Sequence, residues 1–125
     1  MQLTVLPGNY HIHRLAKDSD ISLFLQHKGA QHFLSITQTD DEISIVCRDD
    51  FPIESQKNEK DWNIIKVAGP LDFSLTGILA KLSAIIAKID VSVFVISTFD
   101  TDYILVKKEN IDKVVTELER HDYFF

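Results

Sequence analysis

The sequence predicts an α+β fold made of two similar units, each with helices packed on one face of an antiparallel sheet. Three observations predict it. Short runs of alternating and β-branched residues sit between clear turn signals. A long apolar stripe at helical spacing occupies the middle of the second half. A twelve-residue segment recurs about half a chain later.

The first half opens with extended structure at Leu3–Leu6, a turn at Pro7-Gly8-Asn9 and a strand at Tyr10–Leu15. Asp18-Ser19-Asp20 is an N-cap cluster ahead of Ile21, Phe24 and Leu25, whose i, i+3, i+4 spacing makes a short helix that Gly29 would end. His32–Gln38 and Glu42–Arg48 read as strands around a turn at Thr39-Asp40-Asp41. Phe51–Asp61, with Pro52 and a polar run, reads as a linker and carries the boundary between units.

The second half reads as a strand over Trp62–Ala68, ended by Gly69-Pro70, then a helix from about Phe73 to Ile89. Leu75, Ile78, Leu79, Leu82, Ile85, Ile86 and Ile89 form its stripe, and Asp72 or Ser74 can cap its start. Val91–Phe99 and Tyr103–Lys107 form a strand pair, and Val93-Phe94-Val95-Ile96, apolar on both faces, reads as a central strand. Asn110 caps a last helix that buries Ile111, Val114, Val115 and Leu118, and Asp122–Phe125 can add a final short strand.

The repeat sets the domain organisation. Ser35–Val46 lies without gaps on Val95–Val106, with Ile36 on Ile96, Asp40 on Asp100, Glu42 on Asp102 and Val46 on Val106. Leu3–Gly8 resembles Ile64–Gly69 at nearly the same offset. The chain therefore divides into units at residues 1–60 and 61–125. The second has the order βαββαβ, a ferredoxin-like unit. The first has no good second helix.

A net charge of −6 argues against nucleic acid and anionic membrane surfaces as partners. No apolar stretch is long enough to cross a bilayer, and Met1-Gln2-Leu3-Thr4 does not read as a signal peptide. The single cysteine, Cys47, rules out an internal disulfide and fits a reducing compartment. Cytoplasmic location is the expectation.

Leu3–Gly8, Thr39-x-x-Glu42 with Ile43–Cys47, Gly69-Pro70-Leu71-Asp72-Phe73-Ser74-Leu75-Thr76-Gly77-Ile78-Leu79, and Ser97–Val106 resemble the small bacterial tandem ACT-domain proteins, which are related to the ACT modules of animal arginine sensors. The resemblance covers nearly the whole chain. It implies a regulatory module that binds an amino acid or another small ligand at an interface, that pairs into a homo-oligomer, and that has no catalytic activity of its own. A protein-interaction module without a ligand is the alternative. A metal-assisted hydrolase using the acidic turns is a third class.

Two segments are candidate ligand contacts. At Gly69, Leu71, Asp72 and Ser74, a glycine ahead of a helix start allows close backbone approach, and unpaired amides suit a carboxylate. The same pattern also describes an ordinary turn and cap. Gly77, inside the expected helix at a cost of about 1 kcal/mol against alanine, suggests close approach by a neighbour. In Asp100-Thr101-Asp102, the resemblance implicates Asp102 as the residue that holds the ligand's cation, and Asp100 is left to the turn. Ser97 and Thr98 can line the same cleft, or serve as plain strand hydroxyls. No cofactor or metal site is expected. His11 and His13 share a strand face but nothing completes a ligand set, and both read as solvent-facing or half-buried. Asp40-Asp41-Glu42 and Asp49-Asp50 read as solvated turns, and Cys47 as an inert core residue. Trp62 and Tyr123-Phe124-Phe125 fit either a core or an interface.

Overall fold

The computed structural model describes residues 1–26, 33–68 and 77–125. They form two compact units: Gly8–Asp61, and Met1–Pro7 together with Trp62–Phe125. The expected helix stop at Gly29, the strand start at His32 and the helix start at Phe73 lie outside the described residues.

In Gly8–Asp61, strands β2 (Tyr10–Leu15), β3 (Ser35–Gln38) and β4 (Ile43–Arg48) form an antiparallel sheet with β4 between the other two. Ile43, Ile45 and Cys47 alternate along β4 and pack on one face with Phe24 of the short helix α1 (Ser22–Leu25). Phe24 and Phe51 stack with ring centroids 4.8 Å apart. The Asp20 carboxylate accepts the Ser22 amide at 2.9 Å, which holds its pKa below the usual value, but the N-cap position of α1 is Ile21, so the expected side-chain cap is not formed.

The polar run read as a linker is not one. Strand β5 runs Lys57–Val67, so its first residues are extended, and Phe51 and Ile53 pack on the core. Lys57–Asp61 are exposed on both faces. A strand held by backbone bonds, with no buried side, leaves no hydrophobic period to read.

In the other unit, the antiparallel order is β1 (Leu3–Val5), β5, β7 (Asp102–Lys107), β6 (Phe94–Ser97). The N-terminal strand therefore belongs with the second half of the chain, pairing Leu3 with Val67 and Val5 with Ile65. Leu3, Ile65, Val67, Ile104 and Val106 line one face of this sheet. They pack against Leu82 and Ile86 of helix α2 (Ile78–Lys88) and Val114 and Leu118 of helix α3 (Ile111–Arg120). The helical stripes expected from the sequence supply these contacts.

Four expectations change here. Gly77 is not inside the helix. It is the N-cap of α2 at φ 80, and a Cβ added there would meet nothing among the described residues, so it serves a left-handed turn rather than a close approach. The apolar run at 93–96 is not a central strand: among the described residues β6 pairs with β7 alone, and its residues are half-buried or exposed. Asn110 sits at the start of α3 but its side chain makes no cap bond. A 3-10 turn over Lys108–Asn110 precedes the helix, and the Lys108 carbonyl accepts the Ile111 amide. The final strand is reduced to a parallel bridge between Gln2 and Phe124.

The two hairpins behind the expected repeat share a local geometry, at a register other than the gap-free one. Both β3–β4 and β6–β7 are a four-residue strand, a turn and a six-residue strand. Both turns close through a threonine: Thr39 N and Oγ1 donate to the Glu42 carbonyl at 2.9 and 3.3 Å, and Thr98 N and Oγ1 to the Thr101 carbonyl at 2.8 and 3.1 Å. Thr39 thus matches Thr98, an offset of 59 residues, one fewer than the gap-free reading. A one-residue slip exchanges the two faces of a strand, so Asp102 matches Ile43 and not Glu42.

Candidate ligand site

The site grows from the end of β5. Its register with β7 runs from Trp62↔Lys107 to Lys66↔Tyr103, which brings Val67, the last residue of β5, alongside Asp102, where β7 begins. Gly69, Leu71, Asp72 and Ser74 follow Ala68 and lie outside the described residues. Of the sequence-derived site, Ser97, Thr98 and Asp102 are described, and they cluster at one hairpin.

Asp102 continues the face of β7 that carries Ile104 and Val106, both in the core beneath α2 and α3. It is a half-buried carboxylate at the end of an otherwise apolar row. Ser97 stands directly opposite on β6, and its Oγ donates to Asp102 Oδ1 at 2.6 Å, a charge-assisted length. The lysine on the neighbouring rung, Lys66, lies on the other face with its ammonium 6.0 Å from the Tyr103 ring centroid. Thr98 is exposed, and its hydroxyl closes the turn.

Thr101 is the residue that the sequence reading passed over. It is 4% exposed, and its hydroxyl donates to the Val67 carbonyl at 2.5 Å. This bond ties the hairpin turn to the last residue of β5. A threonine between two aspartates in a turn carries no sequence signal of burial, since threonine is common in exposed turns.

The other candidate groups fall elsewhere. His13 is buried, not solvent-facing or half-buried. Its ring stacks on His11 at 6.1 Å and its Nδ1 meets Ser55 Oγ at 2.7 Å. Burial, then His11 and Lys60, lower its pKa. The Asn9 amide donates to Asp61 Oδ1 at 2.9 Å and to Asp49 Oδ2 at 3.3 Å. Among the described residues, no three His, Cys, Asp or Glu gather to hold a metal ion. Cys47 is buried in the core, and Trp62 is buried with the Lys107 ammonium 4.8 Å from its ring. Tyr123 packs on the core, while Phe124 and Phe125 are exposed.

The family model for the ACT domain matches residues 57–120. The chain belongs to the ACT-domain family. A second model, for an N-terminal domain, matches residues 8–54. This ACT protein is 34% identical over 89 residues, 70% of its length, to a mouse protein named cytosolic arginine sensor for mTORC1 subunit 1. It is 38% identical over 60 residues to the rat protein of that name. The chain spans only 26% and 18% of those two relatives. A crystallised protein from Agobacterium tumefaciens is 34% identical, with a TM-score of 0.85 and coverage of 98% of this chain and 90% of that one. The aspartokinase alpha and beta subunits share the fold, at TM-score 0.67 and 11% identity, over 96% of each chain. No helix among the described residues is long and apolar enough to cross a membrane.

Proposed function

We propose that this ACT protein is a non-catalytic regulatory module that binds a free amino acid at the β6–β7 hairpin, with Asp102 holding a cationic group of the ligand. One observation carries the reading: Asp102 is a half-buried carboxylate on the helix-covered face, and its partner among the described residues is the neutral Ser97 hydroxyl. Partial burial of a carboxylate costs free energy that a hydroxyl only partly offsets, and an ammonium or guanidinium would offset more. The relatives named as arginine sensors make L-arginine the first ligand to try.

In this reading the ligand's carboxylate is met by backbone amides around Gly69, Leu71, Asp72 and Ser74, which follow directly on the strand end beside Asp102. Ser97 orients the Asp102 carboxylate and Thr98 lies at the rim. The chain is read as two ACT-like units, residues 1–60 and 61–125, of which the second carries the ligand. It acts in the cytoplasm as a homo-oligomer, without a cofactor, metal, membrane or nucleic acid. Ligand binding favours one arrangement of the protein over another, the minimum for a signal.

A thermal-shift series with each of the twenty amino acids tests this. Ligand at about one hundred times its Kd adds about 2.7 kcal/mol of stability, a shift of several degrees. Asp102→Asn should remove the response without unfolding the protein. No shift from any amino acid at millimolar concentration would sink the reading. The outer edge of β6, which no described strand covers, favours a second reading, a module that assembles without a ligand. Sedimentation velocity separates the two, because assembly unchanged by every amino acid supports the second.

A further inference from the structure

We propose that Thr101 is a positioning residue: its buried hydroxyl fixes Asp102 against the end of β5 and so sets the affinity of the ligand site. This rests on the ligand-binding reading above.

The β5–β7 register ends at Lys66↔Tyr103. Asp102 lies just beyond that rung, opposite Val67 and one residue from Thr101. The Thr101 side chain reaches across at this point and donates a hydrogen bond to the Val67 carbonyl at 2.5 Å. The turn is closed separately by the mutual bonds of Thr98 and Thr101. Hairpin closure therefore does not require the Thr101 hydroxyl. The first hairpin supports this: it closes by the same threonine geometry at Thr39, with Glu42 in the place of Thr101. What the Thr101 hydroxyl adds is an anchor to the neighbouring strand, at the residue next to the carboxylate.

An unanchored turn would pivot about its own hydrogen bonds and carry Asp102 with it. A charged hydrogen bond depends steeply on distance and angle, so small displacements of the carboxylate would weaken ligand binding without unfolding the sheet. The buried Val67 carbonyl would also lose its partner and draw the turn into other conformations.

The test compares wild type with Thr101→Val, which keeps the shape and removes the donor, and Thr101→Ser, which keeps the donor. L-arginine is titrated first, then the other amino acids, by calorimetry. Thr101→Val should bind about tenfold more weakly and Thr101→Ser close to wild type, the restoration marking the hydroxyl as the cause. Without ligand, hydrogen exchange should quicken at the Thr98 and Thr101 amides in Thr101→Val but not at the Ile64 and Ile65 amides. Equal affinity and equal exchange in Thr101→Val and wild type would overturn the proposal. So would a serine variant as weak as the valine one. If wild type binds no amino acid, the ligand reading fails by itself. In that case unchanged exchange at Thr98 and Thr101 overturns the anchor as well, and quickened exchange supports it.

Discussion

Asp102 occupies in the second hairpin the place that Ile43 occupies in the first. Ile43 pairs with Gln38 and is fully buried against the core around Phe24; Asp102 pairs with Ser97 and is half-buried. A hairpin of this geometry thus accepts an apolar residue at this point, and the second one carries a carboxylate there. Such a choice costs stability and is expected where a site needs the charge. Asp102→Ile should raise stability by about 1 kcal/mol, from the apolar area it buries, while abolishing stabilisation by amino acids. Urea midpoints with and without ligand check both halves. Calorimetry on wild type should give one ligand per chain; two per chain would contradict the asymmetry.

Much of the fold was legible because its core is periodic. Leu82 and Ile86 on α2, Val114 and Leu118 on α3, and Ile43, Ile45 and Cys47 on β4 all lie where helical or alternating spacing places them. What failed was what leaves no period. Lys57–Asp61 are strand without a buried face, and β6 is an edge although its apolar run suggests an interior. The repeat register slipped because matching Asp40 with Asp100 and Glu42 with Asp102 maximises similarity of charge. The turns are instead aligned by their threonines, Thr39 with Thr98. Ser97 and Asp102 were both named as candidate contacts, and the two strands set them opposite one another. Thr101 was not, because its role depends on a carbonyl 34 residues earlier in the chain.

His13 makes the unit of Gly8–Asp61 sensitive to pH. It is buried against Ser55, with His11 and Lys60 as the charged or chargeable groups facing it, and burial lowers its pKa. The unfolded chain therefore takes up a proton more readily than the folded one. The contribution of the neutral ring is whole above pH of about 6.5 and is lost as pH falls through 6.5 toward the lower folded value. The urea midpoint of wild type should fall between pH 7.5 and 5.5. His13→Gln should be less stable at pH 7.5, by about 1 kcal/mol, and flatter between the two pH values. Parallel pH profiles for the two proteins would assign the dependence to another group.

Cys47 should behave as an apolar residue in the folded protein. Burial, with a smaller contribution from Asp50, pushes its thiol up to about 11. At pH 8 almost no thiolate is present and none is accessible. Ellman's reagent should therefore react slowly with native protein and stoichiometrically in 6 M guanidinium, a denaturing concentration of roughly this order for small domains. Rapid native reaction at pH 8 would show that the β4 core opens locally.

Both long helices end on an aspartate in a conformation that suits glycine. Asp90 has φ 63, with its amide bonded to the Ala87 carbonyl at 3.0 Å and the Val91 amide reaching Ile86 at 3.4 Å. Asp122 has φ 67, with matching bonds to Glu119 at 3.2 Å and from Tyr123 to Leu118 at 3.2 Å. Val91 and Tyr123 then turn back onto the core, which completes the Schellman pattern at each end. Two unfavourable features meet at these sites: a side chain at positive φ, and a negative charge at the negative end of the helix. Glycine removes both, and alanine removes only the charge. Asp90→Gly and Asp122→Gly should each raise stability by about 0.5–1 kcal/mol, and the double variant by roughly the sum, since the caps end different helices. Alanine at either position should fall below glycine by about 1 kcal/mol, because it keeps the backbone strain and loses the local hydrogen bonding that lets aspartate tolerate it. Alanine variants as stable as glycine ones would mean that charge, and not backbone conformation, limits these caps.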